Sequence, residues 1–221
     1  MKKVSAVVVA AGAGRRFGSA KQFAILRGKS VLERTLEAFA GHPEVDKIVL
    51  VLPAGERGAR YRKLWSKIAA VVRGGERRQD SVARGFARLE SGPDGLVLVH
   101  DGVRPLVSRE VISRVIGKAV ETGAAVPAVP VEDTIKEAAG GFVVRTLERD
   151  GLRRIQTPQA FRYEVLEVAL RRARADGFYG TDEAALVERT GHPVAVVPGD
   201  PRNIKITTAA DLRIAEAWLE D

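Results

Sequence analysis

The sequence predicts an α/β protein built on a doubly wound, mostly parallel sheet with a protruding β-hairpin arm, and three observations predict it. Apolar runs of strand length alternate with segments of helical period along nearly the whole chain, the pattern of a parallel sheet covered on both faces. The first run, Ala6 to Ala11, breaks into Gly12-Ala13-Gly14, a tight turn directly after a first strand. Late in the chain, Ala138-Ala139-Gly140-Gly141 separates two extended stretches with no helix between them. The architecture is therefore expected to be Rossmann-like. The 221 residues, 45% of them apolar, suffice for one good core, so one domain over 1–221 is expected, with the arm at about 132–150.

The elements follow in order. Ser30 and Glu33 have the spacing of a capping box and open a helix that Gly41 closes. Lys47 to Leu52 reads as the second strand, ended by Pro53. A helix is predicted over about 57–69, with Leu64, Trp65 and Ile68 on one face, and then a short strand over 70–72. Gly74-Gly75-Glu76-Arg77-Arg78-Gln79-Asp80-Ser81 begins as a loop and ends as a helix start. Leu96 to Val99 is the fourth strand, and Ser108 caps a helix running to about Val120.

Ala124 to Val131 is a fifth strand. Thr134 to Glu137 and Phe142 to Leu147 form the hairpin, which is barely stable alone and is expected to pack on a second copy of the chain, the alternative being to fold back on its own subunit. Gln156-Thr157-Pro158-Gln159 reads as a turn or edge segment, and Tyr163 to Asp176 as a helix whose arginines are a solvated face. Another helix begins at Thr181-Asp182-Glu183, Val194 to Val197 is a strand, and Asn203 to Ile206 is read as a short final one. Thr208 and Asp211 cap the last helix, to Leu219. His42 and His192, each before a proline, read as loop residues, and His100 as a structural histidine with no proton to transfer.

Composition narrows the chemistry. There is no cysteine, which excludes disulfides, thiolate metal sites and a cysteine nucleophile. No run of about 18 apolar residues and no signal-peptide pattern is present, so a cytoplasmic protein without a membrane partner is expected. The net charge of +8 suits nucleic acid or anionic small molecules, but 5% aromatic residues is too few for base-stacking platforms, and no nucleic-acid partner is expected.

The positive charge is concentrated at the first loop. From Val4 to Leu32 there are five cations, Arg15, Arg16, Lys21, Arg27 and Lys29, and no carboxylate. Small residues let backbone N–H groups approach a ligand, so this loop suits a polyphosphate, although a plain strand-to-helix connection with surface arginines reads the same way. Two familiar motifs do not fit. Gly28-Lys29-Ser30 lacks the earlier glycine of the triphosphatase loop, and Phe17 stands where a dinucleotide fingerprint needs glycine. In a doubly wound sheet the first and fourth strands are neighbours where chain progression reverses, and ligands bind beyond their carboxyl ends. There His100-Asp101-Gly102-Val103-Arg104 follows the fourth strand. A carboxylate in a basic phosphate site is most simply explained by Mg²⁺ bridging it to phosphate oxygens, the alternative being a cap or an ion pair to Arg104.

Seven segments taken together, AAGAGRRFGSAKQ, GGERRQDS, HDGVRP, DTIK, QTPQAF, TDEAALVE and NIKITTAADL, span almost the whole chain in this order. In them the chain resembles the 2-C-methyl-D-erythritol 4-phosphate cytidylyltransferase family of the non-mevalonate isoprenoid pathway. It departs at Val9, at Gly102-Val103 and at Arg153, none of which removes a charge or hydroxyl expected at substrate. The resemblance implies transfer of CMP from CTP to a phosphorylated polyol by a homodimer with Mg²⁺. It implies that the backbone of Ala10, Ala11, Gly12 and Gly14 holds CTP with Arg15, and that Gly75 and Ser81 lie near the cytosine. Arg16 and Lys21 would be catalytic, stabilising the α-phosphate and pyrophosphate, and Asp101 would hold the metal. Arg104, Thr181 and Lys205 would bind the polyol phosphate from the same subunit, and Thr134 and Arg149 from the other. A related acceptor such as a pentitol phosphate, or a basic binding module without catalysis, stands as the alternative.

Overall fold

The computed structural model describes residues 3–12, 14, 17–18, 20–56, 58–89, 92 and 94–219. In chain order the elements are β1 Val4–Val9, β2 Ile25–Leu26, β3 Lys29–Ser30, α1 Val31–Ala40, β4 Lys47–Leu52, α2 Ala59–Leu64, β5 Ile68–Arg73, α3 Arg78–Phe86 and β6 Leu96–Asp101. Then come α4 Arg109–Thr122, β7 Ala124–Pro130, β8 Lys136–Ala139, β9 Phe142–Thr146, β10 Arg153–Ile155, β11 Gln159–Arg162, α5 Tyr163–Ala175, α6 Glu183–Glu188, β12 Ala195–Pro198 and α7 Ala209–Trp218.

The main sheet runs β7, β11, β6, β1, β4, β5, with β10 and β12 also paired to β7. β1, β4, β5 and β6 are parallel to one another, and β12 is parallel to β7, whereas β10 and β11 run antiparallel to their partners. This is the expected doubly wound, mostly parallel sheet. Alternation along β1 sorts its side chains: Val4, Ala6 and Val8 face Leu32, Leu36 and Phe39 of α1 and Val111, Ile112 and Val115 of α4. Val7 and Val9 face the opposite layer, with Val82 and Phe86 of α3 and Leu166, Ala169 and Leu170 of α5. A β-strand buried on both faces therefore holds both helical layers. A smaller cluster, Leu26, Val31, Val103, Ile206 and Ala215, seats α7 beneath the loop that follows β6.

The helix ends behave as their sequences dictate. Ser30 Oγ accepts the Glu33 N–H at 3.2 Å while the Glu33 carboxylate accepts the Ser30 N–H at 2.7 Å, and Thr208 and Asp211 make the same reciprocal box on α7. Ser108 accepts from the Val111 N–H at the start of α4. The hairpin turns at Gly140 (φ 56°) and Gly141 (φ 84°), two consecutive left-handed residues that glycine alone adopts cheaply, as a two-residue hairpin turn requires. Every residue of β8 and β9 is exposed in the single chain, Phe142 by 80%.

Three expectations change, and a fourth is met with an addition. The predicted helix over 57–69 is only α2, because Ile68 to Arg73 pair with β4: the Ile-Ala-Ala-Val-Val run gains more from a buried ladder than from another helical turn. Gln156 to Pro158 is the expected turn, but Gln159 opens an unexpected antiparallel strand, β11, inserted between β6 and β7. Asn203 to Ile206 forms no strand and is held instead by single bonds, such as Ile206 N–H to the Val103 carbonyl at 2.9 Å. His42 is a loop residue but a buried one. Its Nε2 lies 3.1 Å from Ser113 Oγ and 3.3 Å from the Arg109 carbonyl, and its Nδ1 accepts the Glu44 N–H.

Burial is the main cause that holds His42 below its ordinary pKa of 6.5, with Arg109 and Lys67 acting in the same direction and Glu44 and the Arg109 carbonyl against it. A proton on Nδ1 also displaces the Glu44 N–H. The unfolded chain therefore takes up this proton first, so the contribution of His42 to stability is complete above about pH 6.5 and is lost as pH falls through that value. Denaturant titrations at pH 7 and pH 5 are expected to show the wild type losing stability on acidification and His42→Gln losing less. Equal losses in the two proteins contradict the assignment.

Candidate active site

The site begins where β1 and β6 end together. Val9 pairs with Asp101, the Gly102 N–H donates to the Val9 carbonyl at 2.8 Å, and the loop leaves β1 through buried Ala10. A cavity of about 400 Å³ opens above these ends, lined by Ala10, Ala11, Gly12, Lys21, Gln22, Gly75, Glu76, Arg77, Arg78, Ser81, Asp101 and Lys205 among others. Four cations and two carboxylates thus face one concavity, which favours an anionic occupant.

The backbone around it is fixed by packing. Gln22, 1% exposed, donates from Nε2 to the Gly12 carbonyl at 3.1 Å and so sets the direction of the first loop. Above Gly12 the space is open: a Cβ there meets nothing within 4 Å. In the second loop a Cβ on Gly74 would lie 2.2 Å from Ala11 Cβ, and one on Gly75 would lie 2.3 Å from Asp80 Cβ. These two glycines are demanded by contacts inside the protein. Ser81 Oγ accepts the Gly75 N–H at 3.0 Å and donates to the Arg77 carbonyl at 3.1 Å, so the hydroxyl shapes the loop.

Asp101 is the electrostatic centre. Its Oδ1 accepts from Arg78 Nε at 2.8 Å, its Oδ2 lies 2.7 Å from Lys205 Nζ, and Arg104 Nε stands at 3.9 Å. Burial alone would raise the carboxyl's pKa, but Arg78, Lys205 and Arg104 outweigh it and hold the group far below the ordinary carboxylate range. Arg78 also donates from Nη1 to both oxygens of Glu183, at 2.8 Å each. Glu183 is 1% exposed, and there burial wins, pushing its pKa up despite Arg78.

The backbone of Asp101 is moored as firmly. Its N–H donates to Thr157 Oγ1 at 3.1 Å, and Thr157 Oγ1 lies 3.1 Å from His100 Nδ1. Burial pushes His100 down to about 3, which keeps the ring neutral, so the threonine hydroxyl donates to Nδ1. As expected, this histidine is structural. Arg104 Nη1 donates to the Asn203 carbonyl at 2.7 Å, and Asn203 Nδ2 donates to the Thr157 carbonyl at 2.9 Å, which brings the segment carrying Lys205 to the site. Two buried guanidinium nitrogens of this cluster, Arg78 Nη2 and Arg104 Nε, have no hydrogen-bond partner among the described residues.

Of the residues expected from the sequence, Ala10, Ala11, Gly12, Lys21, Gly75, Ser81, Asp101 and Lys205 line the cavity, and Arg104 backs Asp101. Arg15 and Arg16 lie outside the described residues. The Gly14 carbonyl accepts from the Phe17 and Gly18 N–H groups, and Gly14 is not among the lining residues. Thr181 is exposed beside α6 and is not among the lining residues. Thr134 and Arg149 sit exposed at the base of the hairpin, where Arg149 donates to the Glu132 carbonyl, and neither reaches the cavity of its own chain. The ion pair to Arg104 that stood as the alternative for Asp101 is present, joined by two closer cations.

Sequence reasoning missed Arg78, Glu183 and Gln22. Arg78 carried only a weak signal: it stands in the first turn of a helix, where a cation opposes the helix dipole. A larger cleft, about 720 Å³, lies between α2 and the ends of β4 and β5, lined by Pro53, Gly55, Glu56, Arg62, Lys63 and Arg73. Among the described residues it contains none of those expected and no comparable set of paired charges.

Arg78→Met leaves Asp101 with fewer partners and Glu183 with none of its own, and is expected to cost about 3–5 kcal/mol in urea unfolding. Adding Glu183→Leu should recover part of that loss. Strictly additive losses in the double variant would show that the two side chains do not act as a pair.

Comparison with known proteins came out uniformly. Residues 4–221 match the family described as 2-C-methyl-D-erythritol 4-phosphate cytidylyltransferase. The chain is 43% identical to the protein of that name from Geobacter metallireducens, over 99% of this chain and 98% of the other. It is 47% identical to that from Pelotomaculum thermopropionicum, over 100% and 95%. Among solved structures, that of the Thermus thermophilus protein of the same name is similar with a TM-score of 0.84 and 39% identity, covering 99% of this chain and all of the other.

Proposed function

The chain belongs to the 2-C-methyl-D-erythritol 4-phosphate cytidylyltransferase family, and from that premise we propose that the cavity above β1 and β6 is where its reaction takes place. The enzyme transfers CMP from CTP to 2-C-methyl-D-erythritol 4-phosphate, giving 4-diphosphocytidyl-2-C-methyl-D-erythritol and pyrophosphate. The observation that carries the placement is the convergence of Arg78, Arg104 and Lys205 on Asp101 at the carboxyl ends of adjacent strands.

An oxygen of the acceptor's phosphate forms a new bond to the α-phosphorus of CTP as the bond from that phosphorus to the pyrophosphate oxygen breaks. The attacking oxygen is already anionic near neutral pH, so no side-chain nucleophile or base is needed. The protein supplies position and positive charge. In this reading the backbone of Ala10 to Gly12 follows the triphosphate, Lys21, with Arg15 and Arg16, meets the charge growing on the α-phosphate and pyrophosphate, and the second loop at Gly75 borders the base. Lys205, Arg104 and Thr181 face the acceptor. Asp101 suits Mg²⁺ by its donor chemistry. Each of its oxygens keeps a lone pair beyond the one given to a cation, and Mg²⁺ accepts a single carboxylate when substrate phosphates and water complete its shell. Among the described residues no cluster of three His, Cys, Asp or Glu offers a closed cage. When bound, the ion would supply neutralisation of the phosphates.

A homodimer completes this reading. The exposed hairpin is short of partners in a single chain, and Thr134 and Arg149 at its base would serve the acceptor site of the other subunit. No helix among the described residues is long and apolar enough to cross a membrane. We place the enzyme in the cytoplasm because both substrates carry charges that keep them from crossing a bilayer unaided.

Lys21→Ala is expected to lower kcat about 10² to 10³-fold with an unchanged fold by circular dichroism. Mixed with Arg149→Ala and allowed to exchange subunits, it should regain about half the wild-type activity per mixed dimer, since one of the two sites then has both residues intact. Near-normal turnover in Lys21→Ala removes it from the chemistry, and absence of rescue removes Arg149 from the partner's site.

A further inference from the structure

The first turn of α3 does more than border the cavity. Three consecutive side chains there, Arg77 at the cap and Arg78 and Gln79 in the turn, all reach the segment from Phe178 to Glu183 that leads into α6. The Arg77 guanidinium lies 3.7 Å over the Tyr179 ring, and Arg78 is paired with Glu183. Between them, Gln79 Nε2 donates to the Phe178 carbonyl at 3.0 Å while its Oε1 accepts the Gly180 N–H at 3.0 Å. The far end of the loop is pinned from the sheet: Gln159 donates to Asp182 Oδ2 at 2.8 Å and accepts the Ala184 N–H at 3.1 Å, and Asp182 caps α6 through the Ala185 N–H. Gly180 itself has no room to shift inward, since a Cβ there would stand 2.8 Å from Leu186 Cδ2. Thr181 is thus an exposed residue whose neighbours on both sides are fixed.

The same turn of α3 fixes the nucleotide side, because Ser81 holds the Gly75 N–H. We propose that Gln79 is a positioning residue for the acceptor: by bridging Phe178 and Gly180 it ties the Thr181 loop to the helix that carries the Gly75 loop, and so sets the separation of the two substrates. This rests on the reading of Thr181 as part of the acceptor site. The glutamine amide donates to the carbonyl from its nitrogen and accepts the N–H on its oxygen, so the two bonds come from two separate atoms of one rigid group. Leucine does neither, and glutamate keeps only the second bond. An error of about 1 Å in placement is enough to slow an in-line transfer.

The experiment is steady-state kinetics with both substrates, together with hydrogen exchange at the Gly180 amide, in Gln79→Leu, Gln79→Glu and Thr181→Val. Gln79→Leu is expected to raise KM for 2-C-methyl-D-erythritol 4-phosphate about tenfold, to leave KM for CTP within about twofold and to expose the Gly180 amide to exchange. Gln79→Glu, with the Gly180 bond retained, should lie between it and the wild type. Unchanged acceptor KM in Gln79→Leu, or KM values for both substrates rising together, overturns the proposal. If Thr181→Val raises the acceptor KM while Gln79→Leu does not, the positioning role alone fails; if neither does, the acceptor reading of this loop fails as well.

Discussion

Everything in this structure is arranged around one buried carboxylate. Asp101 is 6% exposed at the end of an inner strand, where an unpaired ion is strongly unfavourable. Its compensation comes from three separate parts of the chain: Arg78 from the start of α3, Arg104 from the loop after β6, and Lys205 from the segment before α7. Arg104 is local to Asp101, three residues further on, whereas Arg78 and Lys205 come close only through the tertiary fold. The fold and the charge cluster therefore specify each other. The extra carboxylate, Glu183, is needed for the same reason, since it shares Arg78 and extends the network to the α5–α6 loop.

The chemistry of the site follows from that arrangement. Five cations, Lys21, Arg77, Arg78, Arg104 and Lys205, stand against three carboxylates, Glu76, Asp101 and Glu183, which leaves an excess of positive charge about a concavity with room above Gly12. Such an enclosure stabilises phosphate oxygens that gain charge during an in-line displacement, and it does so with groups already in place. The depressed pKa of Asp101 keeps it ionised at any working pH, and the neutral His100 behind it serves as a hydrogen-bond mooring. The absence of cysteine and of a usable histidine costs such a reaction nothing, because the nucleophile arrives on the substrate.

Much of this was legible in the sequence, and the remainder was hidden for definite reasons. Capping chemistry is local, so Ser30 with Glu33, Ser108, and Thr208 with Asp211 fixed three helix starts. The adjacency of β1 and β6, and with it the pairing of the Gly loop with Asp101, followed from chain reversal in a doubly wound sheet. Long-range pairing was the weak point. Gln159 to Arg162 has nothing in its four residues to announce an antiparallel strand between two parallel neighbours, and Ile68 looked like the end of a helix until β4 was there to pair with it. The glycines at 74 and 75 were legible as small residues, but not the internal reason for them, since the Ala11 and Asp80 side chains that crowd them are brought there by the fold. Arg78 was hidden because its two partners lie 23 and 105 residues away.

The most direct test of the central claim is a crystal structure of the enzyme with CTP and Mg²⁺. The account requires the triphosphate to lie along Ala10 to Gly12, with its phosphates between Lys21 and Asp101. A nucleotide seated instead in the larger cleft beside Arg62, Lys63 and Arg73, with the Asp101 cluster untouched, would contradict it.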